Sequence, residues 1–266
     1  MSIKPGSVLP KILFLDIEIA KSIYAKFPPK GPEYDTWKNL IKDWWLICAA
    51  YKWDDDKTTS LISILDDKKR YIKDPTDDFH VVQGLWHLVN EADVVIGHNI
   101  EAFDWKKLYA RFLFHKLPPI DKPKLIDTMK MAKNLGEFTS NSLDYLTRYL
   151  KLPKKAANRG NDMWNDVIFR LLAQDIKGLT AVIKEIVEYC KPDIAACEAL
   201  YYALIPHAPA KFRLNLNAYN HPEGCPLCGS ENVIKRGLRG NYQRYQCKEC
   251  GAYHQVTKAV KKVTRK

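Results

Sequence analysis

The stretch Lys11-Ile-Leu-Phe-Leu-Asp-Ile-Glu-Ile-Ala20 decides the fold, because its apolar run ends in two acids. Residues Ile12 to Leu15 are apolar, which is typical of a strand buried on both faces. Asp16 and Glu18 follow, and the two-residue repeat of a strand places both carboxylates on one face. Neighbouring anions at a buried strand end repel each other and resist desolvation, and a divalent cation such as Mg²⁺ or Mn²⁺ offsets both effects. An isolated D-x-E pair is more often a solvated strand end, so the metal interpretation depends on further acids along the chain.

Length and composition are those of a folded protein with one large domain and one small domain. The 266 residues are 46% hydrophobic and 27% charged, which excludes a disordered chain. The net charge of +11 is uneven, because Lys211 to Lys266 hold 12 basic and three acidic residues while the first 210 residues are nearly neutral. A basic tail of this kind favours a polyanionic partner, with nucleic acid preferred over an anionic membrane surface.

The sequence contains no recognisable targeting or membrane-spanning signal. Met1 to Pro10 lacks the apolar core of a signal peptide, and no apolar run approaches the length of a membrane span. We therefore expect a cytoplasmic protein, in a bacterium or in a phage-infected cell. Three of the seven cysteines, Cys48, Cys190 and Cys197, lie in apolar segments and are predicted to be buried thiols.

Apolar periodicity predicts strands first and then strands alternating with helices, which indicates an α/β fold with a mixed sheet flanked by helices. A proline-bearing insert at Pro28 to Pro32 separates the first strand from the rest. Asp54 to Asp56 lie at a predicted hairpin tip and are interpreted as solvated acids, not as metal ligands. Further strands are predicted at Trp45 to Trp53, Thr58 to Leu65, Asp93 to Gly97 and Lys124 to Ile126. Helices are predicted at Tyr34 to Trp45, Asp77 to Glu91, Ala102 to His115, Met129 to Lys133, Leu143 to Leu150, Asn165 to Ala173 and Gly178 to Ala203.

Two later segments contain acids at positions that a metal site requires. In Gly97-His-Asn-Ile-Glu-Ala-Phe-Asp104 a buried strand is followed by an acid in the first turn of the next helix, where the helix dipole favours negative charge. In Tyr189-Cys-Lys-Pro-Asp193 the spacing of four places the tyrosine and the last aspartate on one helix face. With Asp16 and Glu18, these segments form three acidic signals in order along the chain.

The three signals, D-x-E, N-x-x-x-F-D and Y-x-x-x-D, resemble the DEDD superfamily of 3′–5′ exonucleases, the DnaQ-like enzymes with a ribonuclease-H-like fold. Their order and separations match over roughly residues 10 to 205. A tyrosine four residues before the last aspartate resembles the tyrosine (DEDDy) branch, because the histidine branch needs a histidine at position 188, which is Glu. The chain is similar to the proofreading domains of family-B DNA polymerases and to stand-alone phage and bacterial exonucleases, some of which carry a C-terminal zinc ribbon.

The resemblance implies a catalytic centre with two Mg²⁺ or Mn²⁺ ions. Such a pair activates water and stabilises the leaving oxygen of a phosphodiester. The implied ligands are all carboxylates: Asp16, Glu18, Asp104 and Asp193. Asp127, Asp144 and Asp162 are interpreted instead as helix caps or exposed acids, and no catalytic role is assigned to them.

Three further residues of the motifs receive roles from the same resemblance. Tyr189 would orient the attacking water through its hydroxyl group. Asn99 and Phe103 would position the terminal nucleotide, and their alternative interpretations are a helix cap and a core aromatic residue. His98 is interpreted as a local hydrogen-bonding residue. Ile19 stands where such families often have Thr, so a hydroxyl contact with substrate is absent there.

Near the end of the chain, Cys225-Pro-Leu-Cys228 and Cys247-Lys-Glu-Cys250 are two C-x-x-C knuckles separated by 18 residues. This spacing is typical of a four-thiolate zinc ribbon. The alternatives are redox thiols and disulfides, and both are disfavoured in a cytosolic protein. The segment has too few apolar residues to fold without metal, so one structural Zn²⁺ is expected. The predicted domains are a ribonuclease-H-like exonuclease domain at 1–210, a linker at 211–221, the zinc ribbon at 222–256 and a basic tail at 257–266.

The ribbon alternates basic and aromatic side chains in a way that is typical of single-strand binding. Phosphate pairing combined with base stacking holds a single strand without reading its sequence. We therefore predict contacts with nucleic acid from Arg239, Tyr242 and Arg244. The alternative is a solvated hairpin in which Tyr242 and Tyr245 belong to the hairpin core. We expect this core role for one of the two tyrosines.

The predicted function is a metal-dependent 3′–5′ exonuclease that hydrolyses single-stranded DNA, with replication or repair proteins as possible partners. Three alternatives remain open. An RNA exonuclease or a structure-specific endonuclease would use the same chemistry. A non-catalytic nucleic-acid-binding adaptor would have lost a metal ligand, whereas all four acids are present. A transposase-type recombinase would resemble a D-D-E arrangement instead of D-x-E with Y-x-x-x-D.

Overall fold

The chain divides into two compact units, which are described separately. The first unit is Lys11–Pro206, and the second contains Pro10 and the described residues from His207 onward. The computed structural model describes residues 10–25, 37–153, 160–209, 212, 225, 230–239, 242–249 and 253–257. The predicted insert at Pro28 to Pro32 and the basic tail after Thr257 lie outside the described residues.

The first unit is built on a mixed five-stranded sheet with the order β5-β4-β1-β6-β7 among its described residues. On one side of β1, strands β4 and β5 continue in antiparallel pairs; on the other side, β6 and β7 are parallel to it. This arrangement confirms the prediction of a mixed α/β sheet. The strands are Ile12–Ile19 (β1), Ile23–Tyr24 (β2), Leu40–Lys42 (β3), Leu46–Trp53 (β4), Ser60–Ser63 (β5), Val94–Gly97 (β6) and Lys124–Asp127 (β7).

Strand β1 occupies the centre of the sheet because its apolar half is buried on both faces. Leu13 and Phe14 are completely buried and Leu15 is 2% exposed. The apolar half pairs with β6, while the half that bears Asp16 and Glu18 continues beyond the β6 pairing alongside β4. The register shifts after Glu18, where β1 has a bulge or irregularity. The two acids therefore lie where the parallel pairing has ended.

Helices cover the sheet, and side chains cap several of them. Asp127 and Ser142 accept backbone N–H bonds at the starts of α4 and α5, which confirms the predicted capping role of Asp127. The last helix contains Pro192 in its interior and places a long apolar face against β1 and β4. The helices are Lys68–Lys73 (α1), Phe79–Glu91 (α2), Asp104–Phe114 (α3), Thr128–Leu135 (α4), Leu143–Tyr149 (α5), Asn161–Leu172 (α6) and Ile176–Leu204 (α7).

The predicted helix at Tyr34 to Trp45 is wrong. The described part of that segment forms a 3₁₀ turn at Trp37–Asn39 and then β3, which pairs antiparallel with β2. Trp37 is 78% exposed and Ile41 is 65% exposed, so the apolar spacing that suggested a helix does not correspond to a buried face. Pairing with β2 decided the conformation instead.

The second unit contains an antiparallel three-stranded sheet with the order β10-β9-β8 within its described part. Its strands are Val233–Arg239 (β8), Tyr242–Cys247 (β9) and Tyr253–Thr257 (β10). Tyr245 and Cys247 on the central strand are 4% and 1% exposed. All but the last residue of this sheet, Thr257, lies inside the predicted ribbon segment, and Tyr245 belongs to the core of the sheet.

Gly97 at the end of β6 allows a close approach to β1, which leads to a stability prediction. A Cβ atom at this position would lie 2.9 Å from the Leu15 carbonyl oxygen and 2.9 Å from the Ile100 Cβ atom. Because the first contact is with backbone, Gly97→Ala should lower the free energy of unfolding by about 2 kcal/mol, as overpacking does elsewhere. Urea titration measures this change.

Gly136→Ala is the matched control, because a Cβ there would make ordinary contact, 3.7 Å from the Phe138 ring, and the backbone is extended. Its free energy of unfolding should stay within about 0.5 kcal/mol of the wild type. Equal effects of the two substitutions would contradict the packing argument.

Candidate metal centre

Three carboxylates from distant parts of the chain meet on one face of the sheet. Asp16 and Glu18 alternate with buried residues on β1, so both project from the same face. Helix α7 packs on that face, where Tyr201 contacts Phe14 with ring centroids 5.9 Å apart, and it supplies Asp193. One carboxylate oxygen from each of the three acids lies within 4.8 Å of the other two.

The donor set of this group fits a hard divalent cation. Oxygens that share one Mg²⁺ at about 2.1 Å lie about 3 to 4 Å apart, so carboxylates within 4.8 Å need only a small adjustment to share an ion. Asp193 is 1% exposed, whereas Asp16 and Glu18 are partly exposed. The group therefore has a buried side and an open side, and Asp16, Glu18 and Asp193 are the residues that can hold a metal.

Asp104 lies next to this group but is not one of the three acids that meet the 4.8 Å spacing among the described residues. It is the first residue of α3, is 3% exposed, and accepts a hydrogen bond of 3.2 Å from the backbone N–H of Ile17. Burial and the negative charge of Asp16 raise the pKa of the Asp104 carboxyl well above its ordinary value. Its predicted role as a fourth ligand stays a prediction.

Asp127 is a residue whose importance the sequence did not reveal. It was expected only to cap α4, which it does, but its carboxylate also accepts backbone N–H bonds from Asn99 at 3.0 Å and from Glu101 at 3.4 Å. The side chain is 1% exposed, and it holds the loop between β6 and α3 that leads to Asp104. The position of Asp127 at the end of β7 could have indicated this role. Strands β6 and β7 are parallel, so their carboxyl ends lie side by side at one edge of the sheet.

The loop that Asp127 holds contains the two residues expected to position a nucleotide. Asn99 has a positive φ of 64°, and its carbonyl accepts the N–H groups of Ala102 and Phe103. Phe103 is 38% exposed, so it is not a core aromatic residue. His98 bonds to the Thr128 hydroxyl and to a backbone carbonyl, each at 2.9 Å, which confirms its local hydrogen-bonding role.

Tyr189 lies one helical turn before Asp193 on α7 and is 8% exposed. Its ring meets the ring of Trp164 on α6 edge to face, with centroids 6.1 Å apart and planes at 90°. The spacing of four residues brings Tyr189 to the same side of the helix as Asp193. The contact with Trp164 could not be found from the motif, because α6 lies outside it.

The three scattered cysteines are buried thiols, as predicted. Cys48 lies directly opposite Glu18 on β4, and its sulfur is 3.7 Å from that of Cys190. The hydrogen bond between these thiols, together with burial, raises the pKa of Cys48 well above its ordinary value. Burial also raises the pKa of Cys197. The Cys48 and Cys197 thiols therefore remain protonated, and all three cysteines pack as small apolar side chains.

In the second unit only part of the predicted zinc and nucleic-acid site can be described. Cys225 and Cys247 are buried, and the backbone N–H of Cys225 donates to the carbonyl of Ser230. Cys228 and Cys250 lie outside the described residues, as do the side chains of Arg239 and Tyr242. Arg244 is exposed, with its guanidinium carbon 5.8 Å from the centroid of the Tyr253 ring.

Most of the first unit matches a known protein family. The profile of the RNase_H superfamily matches residues 42–205, a span that includes Asp104, Tyr189 and Asp193 and begins after β1. No curated protein matches the chain. Along the described segments, no helix combines the length and apolar character that crossing a bilayer requires.

Among solved structures, the chain is similar to the family B DNA polymerase from the hyperthermophilic archaeon Pyrobaculum calidifontis. The sequence identity is 16% and the TM-score is 0.42. The match covers 87% of this chain and 31% of the polymerase chain, so this chain spans about a third of the polymerase's length.

The network around Asp127 leads to a second stability prediction. Asp127→Asn keeps the shape of the side chain but replaces one accepting oxygen with an amide that donates. At least one part-buried backbone N–H among its partners would lose its acceptor, so the free energy of unfolding should fall by about 2 kcal/mol. Chemical denaturation followed by circular dichroism measures the change.

Asp144→Asn is the control, because Asp144 is a partly exposed helix residue that pairs with Arg148 at 2.9 Å. Removal of that pair should change stability by less than about 0.5 kcal/mol. If Asp127→Asn were equally mild, the loop would not depend on the Asp127 carboxylate.

Proposed function

This chain belongs to the RNase_H superfamily, and we propose that it is a metal-dependent 3′–5′ exonuclease acting on single-stranded DNA. Membership of the superfamily supports nuclease activity and nucleic-acid binding. The observation that carries the proposal is the group of Asp16, Glu18 and Asp193, which join from two distant elements with oxygens within 4.8 Å of one another.

In this proposal Asp16, Glu18 and Asp193 hold divalent cations, and Asp104 completes the ligand set from the adjacent helix end. A pair of Mg²⁺ or Mn²⁺ ions supplies an activated water and stabilisation of the leaving oxygen. The protein contributes a rigid frame, since Asp16 and Glu18 lie on the central strand and Asp104 is hydrogen-bonded to the Ile17 backbone between them. Ligands that are held in place reorganise little during reaction.

The residues around the acids would bind and orient the substrate. The Tyr189 hydroxyl would hydrogen-bond the attacking water, a role that needs no ionisation because a free tyrosine has a pKa near 10. Phe103, partly exposed next to Asp104, offers an apolar surface to the terminal sugar or base. Asn99 would contact the same nucleotide from the loop that Asp127 holds.

The direction of digestion and the preference for DNA are inferred from the motifs. D-x-E, N-x-x-x-F-D and Y-x-x-x-D, in this order, resemble 3′–5′ exonucleases of the tyrosine branch. The zinc ribbon proposed for residues 222–256 would hold one structural Zn²⁺ through Cys225, Cys228, Cys247 and Cys250. It would bind the DNA strand through basic and aromatic side chains. The excess positive charge of this segment supports such binding.

End-labelled oligonucleotides test the chemistry and its direction together. With Mn²⁺, a 5′-labelled single-stranded DNA should give a ladder of progressively shorter products, whereas a 3′-labelled strand should release labelled mononucleotide at once. EDTA should abolish both. Faster digestion of RNA would shift the proposal to an RNA exonuclease, and a single internal cut would indicate an endonuclease.

Substitutions of the acids test whether the proposed metal ligands are responsible for DNA cleavage. Asp16→Asn and Asp193→Asn should each lower kcat/KM by at least about 10³-fold, as expected when several kcal/mol of metal-dependent stabilisation are lost. DNA binding should be largely retained. Asp55→Asn, at the exposed hairpin tip, is the matched control and should keep wild-type activity. Wild-type digestion by either ligand variant would refute the metal assignment.

The ribbon's part in binding has a separate prediction. Each phosphate contact on a single strand adds about 0.7 to the slope of log affinity against log salt. Removal of all residues after 221 should therefore weaken binding and flatten the slope. The double variant Arg236→Gln and Arg244→Gln, which removes two charged side chains of the ribbon, should reduce the slope by about 1.4. Fluorescence anisotropy at several salt concentrations measures both.

Two further variants make the ribbon prediction specific. Lys57→Gln combined with Lys69→Gln removes the same charge from exposed positions in the first unit and should leave the slope unchanged. Cys247→Ser should lose the bound zinc, as measured by metal analysis of the purified protein. If the truncation leaves the slope of log affinity against log salt concentration unchanged, the ribbon does not contribute to DNA binding.

A further inference from the structure

Helix α6 brings a tryptophan against the tyrosine of the candidate site. Met163 and Val167 on α6 are completely buried and anchor the helix. Trp164, next to the first anchor, meets the Tyr189 ring edge to face, with centroids 6.1 Å apart and planes at 90°. This perpendicular arrangement is one of the two that aromatic pairs prefer. The contact therefore restrains the Tyr189 ring directly.

The start of α6 is also tied to the segment that follows the metal-binding strand. The Lys21 ammonium group donates to the Asn165 side-chain carbonyl at 2.7 Å, and Lys21 lies two residues after the end of β1. Trp164 is thus held between a buried anchor on one side and this hydrogen bond on the other. Because both of its neighbours in the chain are held in place, Trp164 can restrain a side chain that packs against it.

The position of the Tyr189 hydroxyl depends on the orientation of its ring. Tyr189 is 8% exposed and lies one turn from Asp193. If its hydroxyl orients the attacking water, a displacement of about 1 Å can cost on the order of 100-fold in rate. A residue that fixes the ring would then control the rate without touching the substrate.

We propose that Trp164 is a positioning residue, which holds the Tyr189 ring in the orientation that catalysis requires. The inference rests on the proposed nuclease function and adds a residue from α6, outside the three acidic motifs. Because Trp164 is partly exposed, the competing role is a stacking platform for a terminal base. A stacking platform would act on the substrate directly and would not need Tyr189.

A double-mutant cycle distinguishes the two roles. Trp164→Ala should lower kcat on single-stranded DNA with Mn²⁺ about tenfold and change KM less than twofold, while Trp164→Phe, which restores an aromatic edge, should retain at least half of wild-type kcat. In a Tyr189→Phe background, which lacks the hydroxyl, Trp164→Ala should change kcat less than twofold. A rise in KM, or an equal loss in both backgrounds, would overturn the proposal in favour of substrate stacking or a structural role.

A second measurement does not require activity. Tetranitromethane nitrates exposed tyrosines, and mass spectrometry reports the modification of Tyr189 relative to Tyr149, which is 61% exposed. Trp164→Ala should raise the nitration of Tyr189 several-fold, and Trp164→Phe should not. Unchanged nitration in Trp164→Ala would overturn the proposal, whether or not the protein is a nuclease. Increased nitration in a protein inactive on all oligonucleotides would instead refute the proposed function.

Trp86→Ala is the matched control for the loss of a partly exposed helical tryptophan. Trp86 lies on α2, and its indole N–H donates to the Pro118 carbonyl at 2.9 Å. It should change neither kcat nor the nitration of Tyr189. If Trp164→Ala does not fold, Trp164→Leu carries the kinetic tests, since it keeps an apolar cover and removes the aromatic ring.

Discussion

Repulsion among carboxylates is the constraint on which the first unit depends. Two unit charges 4.8 Å apart repel by about 3 kcal/mol at an effective dielectric constant of about 20, and Asp16, Glu18 and Asp193 form three such pairs. Burial, together with the negative charge of Asp16, also raises the pKa of the neighbouring Asp104. Assembling such charges costs free energy unless something compensates for them, and a shared divalent cation is a compensation that their geometry fits.

The elements that bring these charges together are extensively buried. β1 is the middle strand of the sheet, and α7 packs its longest apolar face across it. Gly97 lets β6 approach the Leu15 backbone, and Asp127 fixes the loop that leads to Asp104. Packing and backbone hydrogen bonds therefore hold the acids against their mutual repulsion. A side chain that serves this purpose, such as Asp127, needs no place in a catalytic motif.

The one predicted helix that failed, at Tyr34 to Trp45, shows where periodicity misleads. Its apolar residues have helical spacing, but Trp37 and Ile41 are exposed and the segment pairs with β2 as a strand. Helical spacing predicts a helix only when the apolar stripe has a core to face. The long helix α7 has such a core, and its prediction was wrong by only two residues at its start and one at its end.

The sequence by itself determined which residues share a face. Asp16 and Glu18 do so because strands repeat every two residues, and Tyr189 and Asp193 do so because helices repeat about every four. It also indicated the mixed sheet and the buried thiols. Only the tertiary structure decided that α7 crosses β1 at its acids, that Asp104 bonds to the Ile17 backbone, and that Trp164 meets Tyr189. Those contacts join residues 25 to 177 positions apart, and local periodicity contains no information about how distant elements pack.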